Sequence, residues 1–317
     1  MSALIAAAVA FVSAPLAAQT YPSKPVRIIV PYAAGGPADN YARFIGERLQ
    51  GVLGQSFIID DRPGAGSIIG SDAAAKSPAD GYTLLLISNT HTLNESLIPN
   101  KPFQLLRDFV PVAPLNYSDL VLVVNPALPV KNLGDLIKLA KSKLGKLSYA
   151  SSGPGTPYHA AGELFKYMAG VDILHVPYKG SSGARTGVLG GQVDMMFDAV
   201  TTMSDFAHSG KVRALATTGK TRSTVLPEVP TASEAGVNGY EATIWLALMA
   251  PKGTPPEIVA KLNAEVGKII SRPDTKQTFA KQGAVPMVMN QTEFAAFLKA
   301  DIAKWETMVK ASGMKAE

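Results

Sequence analysis

The stretch Val26-Arg-Ile-Ile-Val-Pro-Tyr-Ala-Ala-Gly-Gly-Pro-Ala-Asp39 constrains the fold more than any other part of the chain. Val26, Ile28, Ile29 and Val30 form an apolar, β-branched run of the length of a buried strand. Gly35 and Gly36 then remove side chains, so the backbone can turn tightly with its N–H groups bare. Pro37 suits a first helical turn because it has no N–H to lose there, and Asp39 favours the positive end of the same helix. A strand that turns through glycines into a helix leaves unpaired N–H groups at the carboxyl edge of a sheet. That is a place to hold a small anion. Taken alone, the stretch is equally well read as an ordinary strand-to-helix turn.

The same order recurs down the chain. A helix is expected through Tyr41–Leu53, a strand at Ser56–Asp61, a glycine turn at Pro63–Ser67, a helix at Ile68–Lys76 and a strand at Gly81–Ser88 that ends in the polar cluster Asn89-Thr-His91. This β-α-β-α-β succession is the grammar of a parallel sheet covered by helices. Phe109–Leu115 and Leu120–Asn125 read as two further short strands. The grammar then restarts with a strand at Lys146–Ser152, the turn Gly153–His159, a helix at Ala160–Met168, a strand at Ile173–Tyr178 and the turn Gly180–Gly183. Tyr240–Pro251 is a long apolar run suited to a crossing between two bodies. Two lobes built alike are expected: residues 19–122 with 242–317 in one, 123–241 in the other, and hinge crossings near 121–125 and 240–251. A cleft between lobes is a favoured ligand site.

With 47% hydrophobic and 17% charged residues, the chain is neither disordered nor fibrous. Its net charge of +5 is scattered and forms no basic block for nucleic acid, while a mild positive field suits small anions. Cysteine is absent, which excludes disulfides, thiol nucleophiles and cysteine-metal sites. Residues 1–18 carry no charge and end in Ser13-Ala-Pro-Leu-Ala-Ala18, the pattern of a secretory signal cleaved after Ala18. The run is shorter than the roughly 20 residues of a membrane span. A soluble, exported mature protein is expected.

Chemistry is sparse. None of the four histidines, His91, His159, His175 and His208, has metal-ligand spacing, and no nucleophile elbow or phosphate loop follows a strand. Ser152 and Thr156 offer hydroxyls to a carboxylate, or cap a helix. Asp198 reads as a group facing a donor on the ligand, or as a helix cap. Tyr32 and Trp245 could close over a flat ligand, or simply pack near the crossing. No cofactor or metal is expected. A secreted α/β hydrolase or isomerase using Ser152 or His159 is the enzymatic alternative, but it lacks a recognisable base and orienting acid.

The segments Tyr21-Pro-x-Lys-Pro-Val-Arg-Ile-Ile-Val-Pro-Tyr-Ala-Ala-Gly-Gly-x-x-Asp39, Asp61-Arg-Pro-Gly-Ala-Gly66, Asp80-Gly-Tyr-Thr-Leu84, Ser151-Ser-Gly-x-Gly-Thr-x-x-His159, Val176-Pro-Tyr-Lys-Gly180 and Pro227-Glu-Val-Pro-Thr-x-x-Glu-x-Gly236 run in one order along nearly the whole chain. In them the chain resembles the extracytoplasmic solute receptors of tripartite tricarboxylate transporters, the Bug family. The resemblance implies a two-lobed α/β fold of the type II periplasmic binding protein (Venus flytrap) kind, each lobe a mostly parallel sheet flanked by helices. It implies a periplasmic, non-catalytic, monomeric receptor that delivers a small carboxylate to membrane permease subunits; a sensor that presents its closed form to a membrane kinase is the other alternative. Implied ligands are citrate-like acids, acidic amino acids, nicotinate-like acids and aromatic dicarboxylates such as terephthalate. By the same resemblance Tyr32, Gly35, Gly36, Ser152, Gly155, Thr156 and His159 would grip a carboxylate, and Ser88, Asn89, Tyr178 and Asp198 would face the distal part of the ligand. Pro154 and Pro157 lack N–H groups, which leaves Gly155 and Thr156 as the expected main-chain contacts of the second turn.

Overall fold

The computed structural model describes residues 21–142, 144–312 and 315; the expected signal segment 1–18 lies outside them. In chain order the elements are β1 (Val26–Val30), α1 (Pro37–Leu53), β2 (Phe57–Asp61), α2 (Ile68–Ala75), β3 (Thr83–Ser88), α3 (Asn89–Leu97), α4 (Leu105–Asp108) and β4 (Phe109–Val124). They continue with α5 (Leu133–Ser142), β5 (Ser148–Ser151), α6 (Pro157–Ala169), β6 (Leu174–Pro177), α7 (Ser181–Leu189), β7 (Met195–Ala199), α8 (Val200–His208) and β8 (Arg213–Thr217). The last are β9 (Thr243–Pro251), α9 (Pro256–Ser271), α10 (Pro273–Gln282), β10 (Ala284–Pro286) and α11 (Gln291–Ser312).

The strands run in the order β2-β1-β3-β9-β4-β7-β5-β6, with β8 and β10 also paired to β4. β1 pairs in parallel with β2 and β3, and β5 in parallel with β6 and β7. β9 and β4 are antiparallel to their neighbours. β4 belongs to both halves: from Phe109 to Asp119 it pairs with β9, and from Leu120 to Val124 with β7 and β8. The result is a two-lobed α/β fold.

Alternation along the strands explains the layers. In the first lobe Val26, Ile28 and Val30 point into a core shared with α1 and α9, while Ile29 points the other way, toward Ala74 of α2 and Phe294 of α11. In the second, Leu120, Leu122 and Val124 pack against α5 and α6, and Val121 and Val123 against α7 and α8. Each sheet is therefore covered on both faces, as parallel strands require.

Two expectations need correction. The apolar runs at 109–115 and 120–125 are one 16-residue strand. Pro111 and Pro114 lie within it, and the ladder with β9 shifts register at Pro111/Ala113 and Pro114/Asn116. The cluster Asn89-Thr-His91 does not finish β3 but begins α3, where Ser88 Oγ accepts the Thr90 N–H at 3.1 Å and the His91 ring faces the Ser88 N–H at 3.3 Å.

Candidate functional site

Several helices begin around one cavity. Its wall includes Gly36 and Pro37 at the start of α1, Ser88 capping α3, Pro157 opening α6 and Ser181 opening α7. Ile244 and Leu246 of β9 supply an apolar side. Converging helix starts place positive partial charge on a single spot. A second chamber adjoins the first, and Tyr32 and Ser152 stand in the walls of both.

The two shared residues differ in their bonding. The Tyr32 hydroxyl lies 2.7 Å from Ser88 Oγ, which in turn donates to Thr90 Oγ1 at 3.0 Å. Burial pushes the Tyr32 phenol up to about 12, against the opposing pull of hydrogen bonds from Ser88, Thr90 and Ser67. The phenol stays protonated at neutral pH and puts no negative charge in the cavity. Ser152 is 7% exposed, and its Oγ is buried with no hydrogen-bond partner among the described residues. A buried hydroxyl without a partner is costly to the fold and ready for an acceptor brought from outside.

Glycines let the two lobes meet here. A Cβ on Gly36 would stand 3.0 Å from Ser181 Oγ, one on Gly180 would stand 2.5 Å from the Ala33 Cβ, and one on Gly66 would stand 2.6 Å from the Pro154 carbonyl oxygen. In each pair one residue follows a strand of the first lobe and the other a strand of the second. Bare backbone at these positions thus serves close approach as well as conformation.

The expected residues separate into four groups. Tyr32, Gly36, Ser88 and Ser152 line the inner cavity, while Thr156 and Tyr178 join the outer chamber. Asn89 faces a separate cavity beside α11 and donates to the Thr243 carbonyl at 2.9 Å. Gly35, Gly155, His159 and Asp198 line neither chamber, because each is engaged within the chain. The Gly35 N–H donates to Asp39 Oδ2 at 2.8 Å, and the Gly155 N–H to His159 Nδ1 at 3.2 Å. Even the Thr156 N–H donates internally, to the Gly153 carbonyl at 3.3 Å. The main-chain donors expected from Gly155 and Thr156 are thus spent inside their own turn. By contrast α1 and α7 begin without a side-chain cap. Asp198 is fully buried and pairs with Arg185 at 3.0 Å. Burial raises its carboxyl pKa, against the pull of that guanidinium. Trp245 also turns away from both chambers, its ring edge-on to Phe297 and its indole N–H donating to Asp301 at 3.3 Å.

Sequence reasoning missed Tyr158 and Ser181. The glycine turn Gly180–Gly183 was visible, but nothing in it marked Ser181 as the residue on the wall. Tyr158 is buried and hydrogen-bonded to Ser181, and burial raises its phenol well above the ordinary value.

Residues 41–314 match the profile of the tripartite tricarboxylate transporter family receptor. The chain belongs to this family. The receptor is 39% identical over 310 residues to Protein BugT of Bordetella pertussis, covering 97% of this chain and 95% of that one. It is similar in structure to R. palustris Rpa4515 with adipate, at 35% identity and a TM-score of 0.90, covering 93% of this chain and 99% of that one. It is also similar to MatC (Rpa3494) from Rhodopseudomonas palustris with bound malate, at 32% identity and a TM-score of 0.86, covering 91% and 100%.

The receptor is a solute-binding protein and not an enzyme, and its serine and histidine side chains are disposed accordingly. Ser152 Oγ has no hydrogen-bond partner among the described residues. Two serine hydroxyls meet a histidine ring, Ser71 with His91 at 2.9 Å and Ser151 with His175 at 2.6 Å, and neither pair lines the chamber walls. The His159 ring stacks on His175 at 4.3 Å, and burial lowers its pKa to about 4. A periplasmic setting goes with the family, and no helix among the described residues is long and apolar enough to cross a membrane.

Proposed function

We propose that the receptor captures a small carboxylate between the starts of α1 and α7, with the Ser152 hydroxyl as a direct donor, and delivers it to a membrane permease. The observation that carries this reading is the buried, unpartnered Ser152 Oγ in a cavity ringed by helix starts. An oxyanion placed there satisfies the hydroxyl and meets the uncapped N–H groups of both lobes, which no neutral hydrocarbon does. The apolar side formed by Ile244 and Leu246 favours a ligand with a hydrocarbon or aromatic body, such as an aliphatic dicarboxylate or terephthalate. Tyr32, Gly36 and Ser88 complete the inner wall, and Thr156 and Tyr178 meet the outer part of the ligand.

Capture works by hinging near 121–125 and 240–251, where β4 leaves one sheet for the other and the chain leads into β9. Ligand contacts drawn from both lobes favour the closed population because only that state makes all of them. The exported form begins after Ala18 and acts as a monomer.

A thermal-shift screen against citrate, malate, adipate, benzoate, nicotinate and terephthalate tests the reading. A ligand at 100 times its dissociation constant adds about 2.7 kcal/mol of stability, a readily visible rise in Tm. The expected result is a rise confined to one or two related acids. No rise with any carboxylate overturns it.

A further inference from the structure

α11 belongs to the first lobe, where its Phe294 and Leu298 pack with Ile29, Leu85 and Ala247 of the sheet. About two turns further along, Trp305 sits in a buried cluster with Leu93 and Leu97 of α3 and Ala160 of α6. Among the described residues, Ala160 is the one member of that cluster that comes from the second lobe. The Trp305 ring is held by its edge, its indole N–H donating to Asp301 Oδ2 at 3.2 Å. The same oxygen accepts the Trp245 indole N–H at 3.3 Å and the Thr92 hydroxyl at 2.5 Å. One carboxyl oxygen thus ties the ring to α3 and to the start of β9, beside the crossing between lobes. Three donors converging on one buried acceptor leave the ring little freedom. A cavity next to this contact has α6 in its wall through Pro157 and Leu164, α11 through Lys304 and Met308, and the crossing through Glu241 and Thr243. Pro157 also stands in the wall of the inner cavity. Since Pro157 and Ala160 lie about one turn apart on one helix, α6 reaches from Trp305 to the inner cavity.

We infer that Trp305 is a positioning residue for capture: by bearing on Ala160 it sets where α6, and with it the second lobe's side of the inner cavity, comes to rest when the lobes are together. Trp305 itself lines neither chamber. The inference rests on the carboxylate-receptor reading and goes beyond it by assigning control of closure to a side chain outside the site. Close-packed interiors are poorly compressible, so a ring pinned in one lobe and seated on a helix of the other passes displacement on instead of absorbing it. In the arrangement that brings Trp305 onto Ala160, the lobes also meet at Gly36 with Ser181 and at Gly180 with Ala33. The Trp305–Ala160 contact therefore belongs to the closed population. Losing it disfavours that population, and so does overfilling it, since either moves α6 away from its resting place.

The test pairs Trp305→Leu, which empties the contact from the first lobe, with Ala160→Leu, which crowds it from the second, and with the double variant. Lobe separation is read by electron–electron resonance between spin labels on Val52→Cys of α1 and Tyr167→Cys of α6, both exposed positions in a chain that has no cysteine of its own. Affinity is read by calorimetric titration with adipate and with malate. Each single variant should bind about tenfold more weakly and shift the label distances of the ligand-free receptor toward longer values. The double variant should recover most of both, because leucine at 160 refills the space that the indole leaves. Wild-type affinity and distances in Trp305→Leu overturn the inference, and a lowered Tm beside them assigns the ring to the fold alone. Failure of the double variant to recover either readout overturns it as well, since each side chain then serves only its own lobe. If neither acid binds the wild type, the ligand-free distances alone decide this inference, and the wider panel of acids decides the receptor reading.

Discussion

Ser152 holds the sharpest compromise in the molecule. Its hydroxyl is buried without a partner, which costs the ligand-free fold roughly 1–3 kcal/mol. Replacing it by alanine removes the unpaired oxygen and leaves a small methyl in the same space. Ser152→Ala should therefore raise the stability of the ligand-free receptor by about 1 kcal/mol in urea unfolding while weakening ligand binding by about tenfold or more. A variant that loses both stability and affinity would show that the hydroxyl supports the fold instead. Opposite signs are expected because binding groups are set up for a partner the free protein lacks. Ser152 was legible in the sequence as a hydroxyl after a strand, and so were Tyr32, Gly36 and Ser88. Asp198 was legible only as an acid at a strand end. Its partner Arg185 sits 13 residues earlier on another element, and no local spacing rule joins a strand end to the helix beside it. Gly35 and Gly155 were read as bare donors, but Asp39 and His159, each four residues on, fold back to accept their N–H groups. Such Asx- and His-capped turns consume the donors that the glycines expose.

At the scale of elements, the succession of strand, glycine turn and helix could be read directly, because β-branched runs and glycines mark both ends of each unit. The continuity of β4 could not, since two bulges reconcile its prolines with a ladder only once β9 is beside it. α3 and α8, nine residues each, were hidden for a different reason. α3 is almost wholly buried, with Asn89, Thr90, His91 and Thr92 all inside, so its polar letters carry no amphipathic period. The glycine turns also do more than their local conformation suggests. Gly180 has φ of 171°, extended backbone open to any residue, so alanine there adds no backbone strain. Its new Cβ would nonetheless stand 2.5 Å from the Ala33 Cβ in the arrangement seen here. Gly180→Ala should therefore fold with nearly the wild-type Tm, yet fail to bring the starts of α1 and α7 together. The expected outcome is a dissociation constant at least tenfold weaker, with a ligand-saturated radius of gyration in small-angle scattering that stays at the ligand-free value. Wild-type affinity and compaction in this variant would mean that the seam relaxes around a methyl, and that close approach of these turns is not what binding requires.

At the scale of the whole molecule, the passages between lobes carry like charge. Asp119 is the last residue of β4 paired with β9, and Glu241 lies just before β9 begins. Lys220, 3.8 Å from Glu241, is an exposed counter-charge, too solvated to cancel the repulsion. Burial first, and the neighbouring Glu241 second, push the Asp119 carboxyl up to about 6. Its ordinary value is about 3.9. The folded state therefore binds the proton more tightly than the unfolded chain. Stability from this group is fully present below about pH 4 and is lost as pH rises through 6. The full two-unit shift corresponds to nearly 3 kcal/mol, and partial exposure of the side chain reduces this to about 2. Asp119→Asn keeps the shape and abolishes the titration. It should match the wild type closely in urea unfolding at pH 4 and exceed it by about 2 kcal/mol at pH 7.5, with the difference growing most steeply around pH 5, midway between the two pKa values. Measuring the difference between variant and wild type cancels the titration of the other buried groups, such as His91, whose pKa burial lowers to about 3. Glu241→Gln should recover a smaller part of the same gain, because it removes only the second cause. A constant difference from pH 4 to 7.5 would show that Asp119 is not held protonated by the fold. If the gain appears as described, the repulsion is a cost carried at the proposed hinge, and Asp119→Asn should also slow ligand release by making that region more rigid.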